Sequence, residues 1–357
     1  MGPRTGAAAI AAIALLAGCS APVAQPSTAA SSPPPSSSGT PAPPSSSAPA
    51  SPSPTASSTA DDLPPVTDPV SLPALMRKDV VGTDLRLGRV LDRTSAYTRY
   101  AITYRAGALT ITGVMNVPKG VGPFPVVVLL HGHIDEDVYV TGQGFRREQD
   151  SLARNGYVAL HVDYRNHAGS SKDARNDVDL RLGYAEDAIA AVEAVKASRL
   201  PFLDGERIGL IGRSMGGGVA FNALVARPGL VDAAITWASV STDAVDNYER
   251  WIRFADGRRQ LAAAIEAEHG SPEKNPAFWK GVSSRSYFDR ITTPVLMHQG
   301  VVDDTCPVAW ARATAAELRE AGVDLTYYEY AGENHYMYDA WSLSMRRTLA
   351  FLKAHLV

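Results

Sequence analysis

The sequence predicts an α/β fold in which helices cover both faces of a mostly parallel sheet. Apolar runs of strand length alternate with helical segments over most of the chain, which is typical of such folds. The runs are apolar almost throughout, as strands buried on both faces are. We predict strands at 126–130, 157–162, 208–211, 231–237, 295–297 and 325–330, and helices near 143–155, 179–198, 215–227, 308–321 and 338–354.

An antiparallel hairpin precedes the parallel strands. Residues 100–104 and 109–117 alternate between apolar and polar side chains, and a turn containing Gly107 separates them. This pattern indicates two paired strands. We expect the hairpin to form one edge of the sheet.

The first 19 residues have the pattern of a targeting segment. Arg4 supplies a positive charge, and the apolar stretch 7–16 is too short to span a bilayer as a stable helix. The ending Leu-Ala-Gly-Cys19 resembles the lipobox of bacterial lipoproteins. That resemblance implies cleavage before Cys19 and lipid modification of its sulfur. A plain secretory signal that ends near Ala21 is the alternative.

Residues 20–62 are predicted to form a disordered tether. The segment consists almost wholly of Ser, Pro, Ala and Thr up to residue 60, with no aromatic side chain to build a core. A tether of this length suits a catalytic domain held away from the membrane, and we assign that domain to residues 63–357. We therefore expect an extracytoplasmic protein anchored to the cell membrane through Cys19.

Charge and cysteine content exclude several classes of function. The formal net charge of −3 gives no electrostatic footprint for nucleic acid. We find neither a metal-ligand cluster nor a phosphate-binding Gly-rich loop, and we expect no cofactor and no metal. Of the two cysteines, Cys306 is predicted to be unpaired and buried. The oligomeric state cannot be read from the sequence.

Ser214 is the predicted nucleophile. It is the serine of a Gly-x-Ser-x-Gly motif, which the apolar segment 208–211 precedes and a small-residue helical segment follows. A serine on such a strand-to-helix corner presents its hydroxyl as a nucleophile. Gly212 and Gly216 are expected to avoid collisions across the tight turn. A helix-capping serine is the alternative.

An acid and a histidine follow in the order that the α/β-hydrolase arrangement requires. Asp303 and Asp304 come after the strand at 295–297, and His335 follows the next strand. Among the eight histidines, His335 alone lies in a loop after a strand that follows the candidate acid. From the residues alone either aspartate could orient it, or could be a solvated or helix-capping carboxylate.

Backbone N–H groups are expected to stabilise an oxyanion beside Ser214. One donor would be Met215, directly after the nucleophile at the start of a helix. The other would be His133 or Ile134, in the loop after the strand at 126–130. An ordinary strand-ending turn is the alternative for this loop.

The segment 243–290 interrupts the alternation of strands and helices. It carries its own helical pattern and includes the aromatic side chains of Trp251, Phe254, Phe278 and Trp279. An insertion of this length beside a candidate site suits a lid that shapes specificity. A satellite cluster that packs on the domain is the equal alternative.

Residues from about 110 to 350 resemble the catalytic domain of the prolyl oligopeptidase family of α/β-hydrolases. Several spaced motifs carry the resemblance in order. They are Gln149, Leu152-Ala153, Gly156-Tyr157-Val158 and Asp163-Tyr164-Arg165; then Asp187, Asp204, Arg207-Ile-Gly and Gly-Arg-Ser-Met-Gly-Gly; then Thr293-Pro-Val-Leu, Gly300, Asp303 and Pro307; and finally Tyr330, Gly332 and His335.

The resemblance implies a Ser-His-Asp serine hydrolase that needs no cofactor. The family's acid stands three residues after the glycine that Gly300 matches, which favours Asp303 over Asp304. It also implies a serine-type peptidase, although only about 50 residues separate the tether from the core, where family peptidases carry a β-propeller. His133 replaces a family glycine, and the motif around Ser214 is closer to that of esterases.

These departures leave the kind of substrate open. We expect a small ester or a short peptide. The alternatives are a carboxylesterase without peptidase activity and a tethered, non-catalytic binding protein that keeps the hydrolase fold.

Overall fold

The structure is a computed structural model that describes residues 63–357. The predicted signal peptide, its Cys19 and the tether lie outside the described residues. Within residues 63–357, one sheet has the strand order β1-β2-β3-β5-β4-β6-β7-β8-β9. Its strands are β1 Gly82–Arg93, β2 Tyr97–Ala106, β3 Leu109–Pro118, β4 Phe124–Leu130, β5 Val158–Val162, β6 Leu203–Arg213, β7 Ala233–Trp237, β8 Val295–Gly300 and β9 Leu325–Tyr330.

Helices cover both faces of the sheet, and the predicted fold class is confirmed. In β4, Val126, Val128 and Leu130 face one core, whereas Val127 and Leu129 face the other. Helices α3, α4 and α8 pack in the first core, and α2 and α9 pack in the second. The helices are α1 Leu72–Arg77, α2 Arg146–Arg154, α3 Leu182–Lys196, α4 Met215–Ala226, α5 Ala244–Tyr248, α6 Arg259–His269, α7 Pro276–Gly281, α8 Val308–Glu320 and α9 Trp341–Leu356.

No helix within residues 63–357 is long and apolar enough to cross a membrane.

The strands from β5 through β9 pair in parallel in their spatial order, while β1, β2, β3 and β5 pair antiparallel. All six predicted parallel strands are present. The largest difference in length is in β6, which begins at Leu203 rather than at residue 208.

The predicted hairpin is present as β2 and β3, but its predicted place at the sheet edge is wrong. The edge strand is β1, which pairs antiparallel with β2. Exposed side chains dominate β1, and its register shifts at three points. Charges and bulges are common on edge strands because they discourage pairing with other chains. They also hide the alternation that a sequence pattern depends on.

The carboxyl ends of β4 and β6 form a crevice at the centre of the parallel sheet. The two strands are neighbours, with Leu130 of β4 opposite Gly212 of β6. The next helix after β4 is α2, and the next after β6 is α4, and these lie on opposite faces. Ligands of open α/β sheets bind at such points.

The insertion 243–290 packs on the domain through its own buried side chains. It contains α5, α6 and α7, a π-helical turn at Glu249–Arg253 and a 3₁₀ segment at Ser284–Arg290. Tyr248, Phe278 and Trp279 are buried, while Phe254 is exposed. The insertion is therefore anchored by aromatic packing, and its inner surface faces the cavity described next.

Candidate active site

Ser214 stands on the corner between β6 and α4 in a conformation that a serine rarely adopts. Its backbone angles are φ 54° and ψ −123°. Such strained residues persist only where the surrounding structure fixes them, and they cluster at functional sites. The Ser214 N–H donates to the Trp237 carbonyl at 3.0 Å, and the Ser214 carbonyl accepts from the Gly217 N–H at 2.9 Å.

Two glycines allow the corner to form. A Cβ atom at Gly212 would lie 2.2 Å from the carbonyl oxygen of Gly216. A Cβ atom at Gly216 would lie 1.9 Å from the carbonyl oxygen of Leu130. No side chain fits at these distances, so the motif's glycines are required by backbone contacts.

His335 contacts Asp303, on the loop that follows β8. The distance from His335 Nδ1 to Asp303 Oδ2 is 2.9 Å, and the Asp303 side chain is fully buried. Asp304 is exposed instead, and its Oδ1 accepts from Thr305 Oγ1 at 3.4 Å. The structure thus brings together Asp303 and His335 and leaves Asp304 outside the pair.

Three donors hold the Asp303 carboxylate. Oδ1 accepts from the backbone N–H groups of Thr305 at 2.9 Å and Cys306 at 2.8 Å. Oδ2 accepts from Gln299 Nε2 at 3.1 Å, in addition to its contact with His335. Gln299 is buried in β8 and was missed by the sequence analysis, since nothing in its strand pattern marks it as a partner of the acid.

The hydroxyl of Ser214 points at Cys306. The distance from Ser214 Oγ to Cys306 Sγ is 4.0 Å, and within residues 63–357 no hydrogen bond joins Ser214 Oγ to His335. Cys306 is buried, as predicted. Burial and the Asp303 charge raise the pKa of its thiol to about 12. At neutral pH the thiol is therefore protonated and a poor nucleophile.

The two predicted oxyanion segments lie side by side. A Cβ atom at Gly132 would lie 3.1 Å from Ser214 Cβ, so the loop after β4 runs directly past Ser214. The backbone N–H groups of His133, Ile134 and Met215 have no hydrogen-bond partner in the described part of the chain. His133 and Met215 line the cavity beside Ser214, whereas Ile134 does not.

Ser214 and His335 open onto one cavity of about 490 Å³. One wall comes from the insertion, including Tyr248, Trp251 and Arg258. The sequence analysis missed two arginines of this cavity, Arg181 and Arg258. Neither lies in a motif, and Arg181 reaches the cavity only because of the loop conformation before α3.

A group of possible metal ligands lies elsewhere, around Asp179, Glu268 and His269. The Arg175 guanidinium donates to Asp179 at 2.8 Å and also to Glu268. A cation is therefore already supplied by the protein between these two carboxylates. The prediction that no metal is needed stays a prediction.

Comparison with known proteins shows which protein family the sequence resembles. The sequence profile of the prolyl oligopeptidase family matches residues 143–357, which is more than half of the chain. An uncharacterized peptidase of Bacillus subtilis (strain 168), YuxL, is 27% identical over 225 residues, covering 61% of this chain and 32% of that protein. The chain thus spans about a third of the length of this curated relative.

Solved structures share the fold. Dipeptidyl peptidase 4 of Porphyromonas gingivalis superposes with a TM-score of 0.55 at 20% identity, covering 76% of this chain and 35% of that chain. An acetyl xylan esterase from Paenibacillus sp. R4 superposes with a TM-score of 0.60 at 19% identity, covering 80% of this chain and 92% of that chain. At these identities the likeness concerns the α/β-hydrolase fold alone.

Proposed function

The chain belongs to the prolyl oligopeptidase family of serine hydrolases, and we propose that it cleaves ester or peptide bonds through an acyl-enzyme on Ser214. The observation that carries the proposal is the Asp303–His335 pair, 2.9 Å apart, which opens onto the same cavity as the strained Ser214. Nucleophile, base and orienting acid are the parts that this chemistry needs.

In the acylation step, Ser214 Oγ attacks the carbonyl carbon of the substrate. His335 Nε2 takes the hydroxyl proton as the bond forms. Asp303 accepts a hydrogen bond from His335 Nδ1, which fixes the tautomer and stabilises the imidazolium. The N–H of Met215 and that of His133 or Ile134 stabilise the oxyanion. The leaving alcohol or amine then departs with the proton from His335.

Deacylation repeats these steps with water. His335 removes a proton from the water molecule as it attacks the acyl carbon, and it returns that proton to Ser214 Oγ. The earlier acylation step requires the free Ser214 Oγ to turn from Cys306 toward His335. Catalytic hydrogen bonds are often absent before substrate binds and form in its complex.

We also propose that the enzyme works outside the cytoplasm, anchored through lipid on Cys19. The support is the lipobox-like sequence and the Ser- and Pro-rich segment at 20–62. Cys19→Ala in the full chain should move the protein from the membrane fraction to the soluble fraction or leave it as unprocessed precursor. Unchanged fractionation with normal processing would contradict the anchor.

The test of the reaction compares two substrate types in the full chain. Short-chain p-nitrophenyl esters report esterase activity, and aminoacyl and dipeptidyl p-nitroanilides report peptidase activity. Ser214→Ala should lower kcat by a factor on the order of 10⁴ or more. Ser342→Ala is the matched control, because Ser342 is exposed on α9.

The outcomes separate the alternatives. Ester turnover alone would define a carboxylesterase, and anilide turnover at comparable efficiency would define a peptidase. A fluorophosphonate that fails to label wild-type protein, together with no turnover of either substrate, would favour a tethered binding protein. Activity that survives Ser214→Ala would contradict the mechanism.

A further inference from the structure

We propose that the substrates carry a carboxylate, which binds between Arg181 and Arg258 in the cavity beside Ser214. This inference rests on the proposed function and names its substrate class. Within the described chain, the residues that line this cavity include two arginines and a single carboxylate, that of Asp177. The pair Arg181 and Arg258 is called the guanidinium pair below.

Arg181 lies directly beside the proposed oxyanion segments. Its Nη1 atom is 3.3 Å from His133 Nδ1 and 3.6 Å from Met215 Sδ. His133 follows Gly132, which abuts Ser214, and Met215 follows Ser214 in the chain. Arg181 thus contacts the side chains of two residues that flank Ser214, and a group bound to it lies in the same cavity as Ser214.

The backbone is strained where it presents Arg181. Leu180 and Arg181 both have left-handed backbone angles, with φ values of 51° and 60°. The Arg181 N–H donates to the Asn176 carbonyl at 2.7 Å, and its Nε donates to Asp177 Oδ1 at 2.7 Å. Two consecutive non-glycine residues in this region carry a conformational cost, and such a cost is typical of functional sites.

The cavity has an uncompensated positive charge. Asp177 neutralises Arg181, whereas Arg258 forms no ion pair within residues 63–357. Although His133 is partly exposed, desolvation at the cavity wall and the charges of Arg181 and Arg258 lower its pKa to about 4. The imidazole is thus neutral at pH 7. Among the residues that line the cavity, the guanidinium pair with Asp177 leaves one net positive charge, while Glu136 acts on Arg181 from outside the lining.

One carboxylate matches this site in charge and geometry. A guanidinium donates two parallel hydrogen bonds to a carboxylate, which makes the contact both strong and directional. A free ammonium group would be repelled by the unpaired charge of Arg258. The cavity lining also includes apolar side chains: Leu182, Val219, Ile252, Leu261 and Val282. The substrate class is therefore an acyl group with an apolar chain and a distal carboxylate.

The test measures the ratio of kcat/KM for mono-p-nitrophenyl adipate to that for p-nitrophenyl hexanoate in the full chain. The two esters have the same chain length and differ in the terminal carboxylate. Arg258→Gln should lower the ratio about tenfold or more, as the loss of one charge-assisted hydrogen bond does. Arg258→Lys keeps the charge but not the two parallel hydrogen bonds, so its ratio should lie between those of wild type and Arg258→Gln.

The control is Arg259→Gln, since Arg259 is the exposed neighbour on α6 and lies outside the cavity lining. Its ratio should equal that of wild type. An unchanged ratio in folded Arg258→Gln, with ester turnover that depends on Ser214, would overturn the carboxylate site and leave the proposed function standing. Ser214-independent turnover, or no turnover of these esters and of the p-nitroanilides, would overturn the proposed function itself.

Discussion

Ser214 and the Asp303–His335 pair face one cavity, yet the chain fixes them by different means. At Ser214 the corner leaves no room for side chains at Gly212 and Gly216, which would collide with carbonyl oxygens, and backbone hydrogen bonds hold Ser214 itself. At Asp303 the carboxylate is held by hydrogen bonds, two of them from backbone N–H groups of its own loop. The corner at Ser214 has no space for an added side-chain atom at either glycine. The Asp303–His335 pair depends instead on charge and on where the hydrogen-bond donors lie.

The contrast predicts that substitutions in the two halves affect different properties of the protein. A clash at the corner that carries Ser214 acts on the packing of β4 against α4, so its effect reaches the whole domain. A lost donor or charge at Asp303 acts on the orientation of one imidazole. Substitutions in the two halves should therefore separate into effects on stability and effects on rate.

The largest expected effect is on stability, from Gly216→Ala. The new Cβ atom would lie 1.9 Å from the Leu130 carbonyl oxygen, so β4 and α4 must move apart. We expect the free energy of unfolding, measured in urea, to fall by about 3 kcal/mol or more. Gly281→Ala is the control, since its Cβ would meet nothing closer than 3.8 Å, and it should change stability by less than about 1 kcal/mol. Equal losses in the two variants would contradict the steric argument.

The second effect is on rate, from Asp303→Asn. The amide keeps the size of the carboxylate but removes the charge that stabilises the His335 imidazolium. We expect kcat for an ester to fall by a factor on the order of 10³ to 10⁴, with little change in Tm. Asp304→Asn serves as the matched control, because Asp304 is exposed and lies outside the pair, and it should stay within about twofold of wild type. If Asp304→Asn proved the more harmful, the assignment of the acid would be wrong.

The smallest effect should come from Cys306→Ala, at the contact between the two halves. The thiol touches Ser214 Oγ, and the N–H of the same residue donates to Asp303, a bond that alanine retains. Since its raised pKa of about 12 keeps the thiol protonated, we expect kcat/KM to change by less than about threefold. A loss near that of Asp303→Asn would show that the thiol takes part in the chemistry.

The sequence predicts the fold where the determinants are local. The parallel strands and their helices follow from apolar runs, and the glycines around Ser214 follow from a motif that spans five residues. The order along the chain then nominates Ser214, His335 and one of Asp303 and Asp304, and the family resemblance around Gly300 selects Asp303. Each of these signals can be read within a few residues, because strand period and tight turns are short-range properties.

The remaining features depend on contacts between distant residues. Gln299 reaches Asp303 through a side-chain direction that an apolar strand pattern does not encode. Arg181 enters the cavity because two residues adopt left-handed backbone angles that are uncommon outside glycine. β1 was not predicted because its exposed side chains and shifted register remove the alternation of apolar and polar residues expected of a strand. The insertion could be located by its length, but its contribution to the cavity could not.

The position of the insertion between β7 and β8 has an evolutionary consequence. It supplies Arg258 and several other cavity-lining side chains but none of the three residues proposed to break the bond. Changes in the insertion therefore alter one wall of the cavity, which Arg181 and other segments complete, without altering Ser214, Asp303 or His335. A related protein could therefore evolve a different substrate preference through changes in residues 243–290, while Ser214, Asp303 and His335 stay the same.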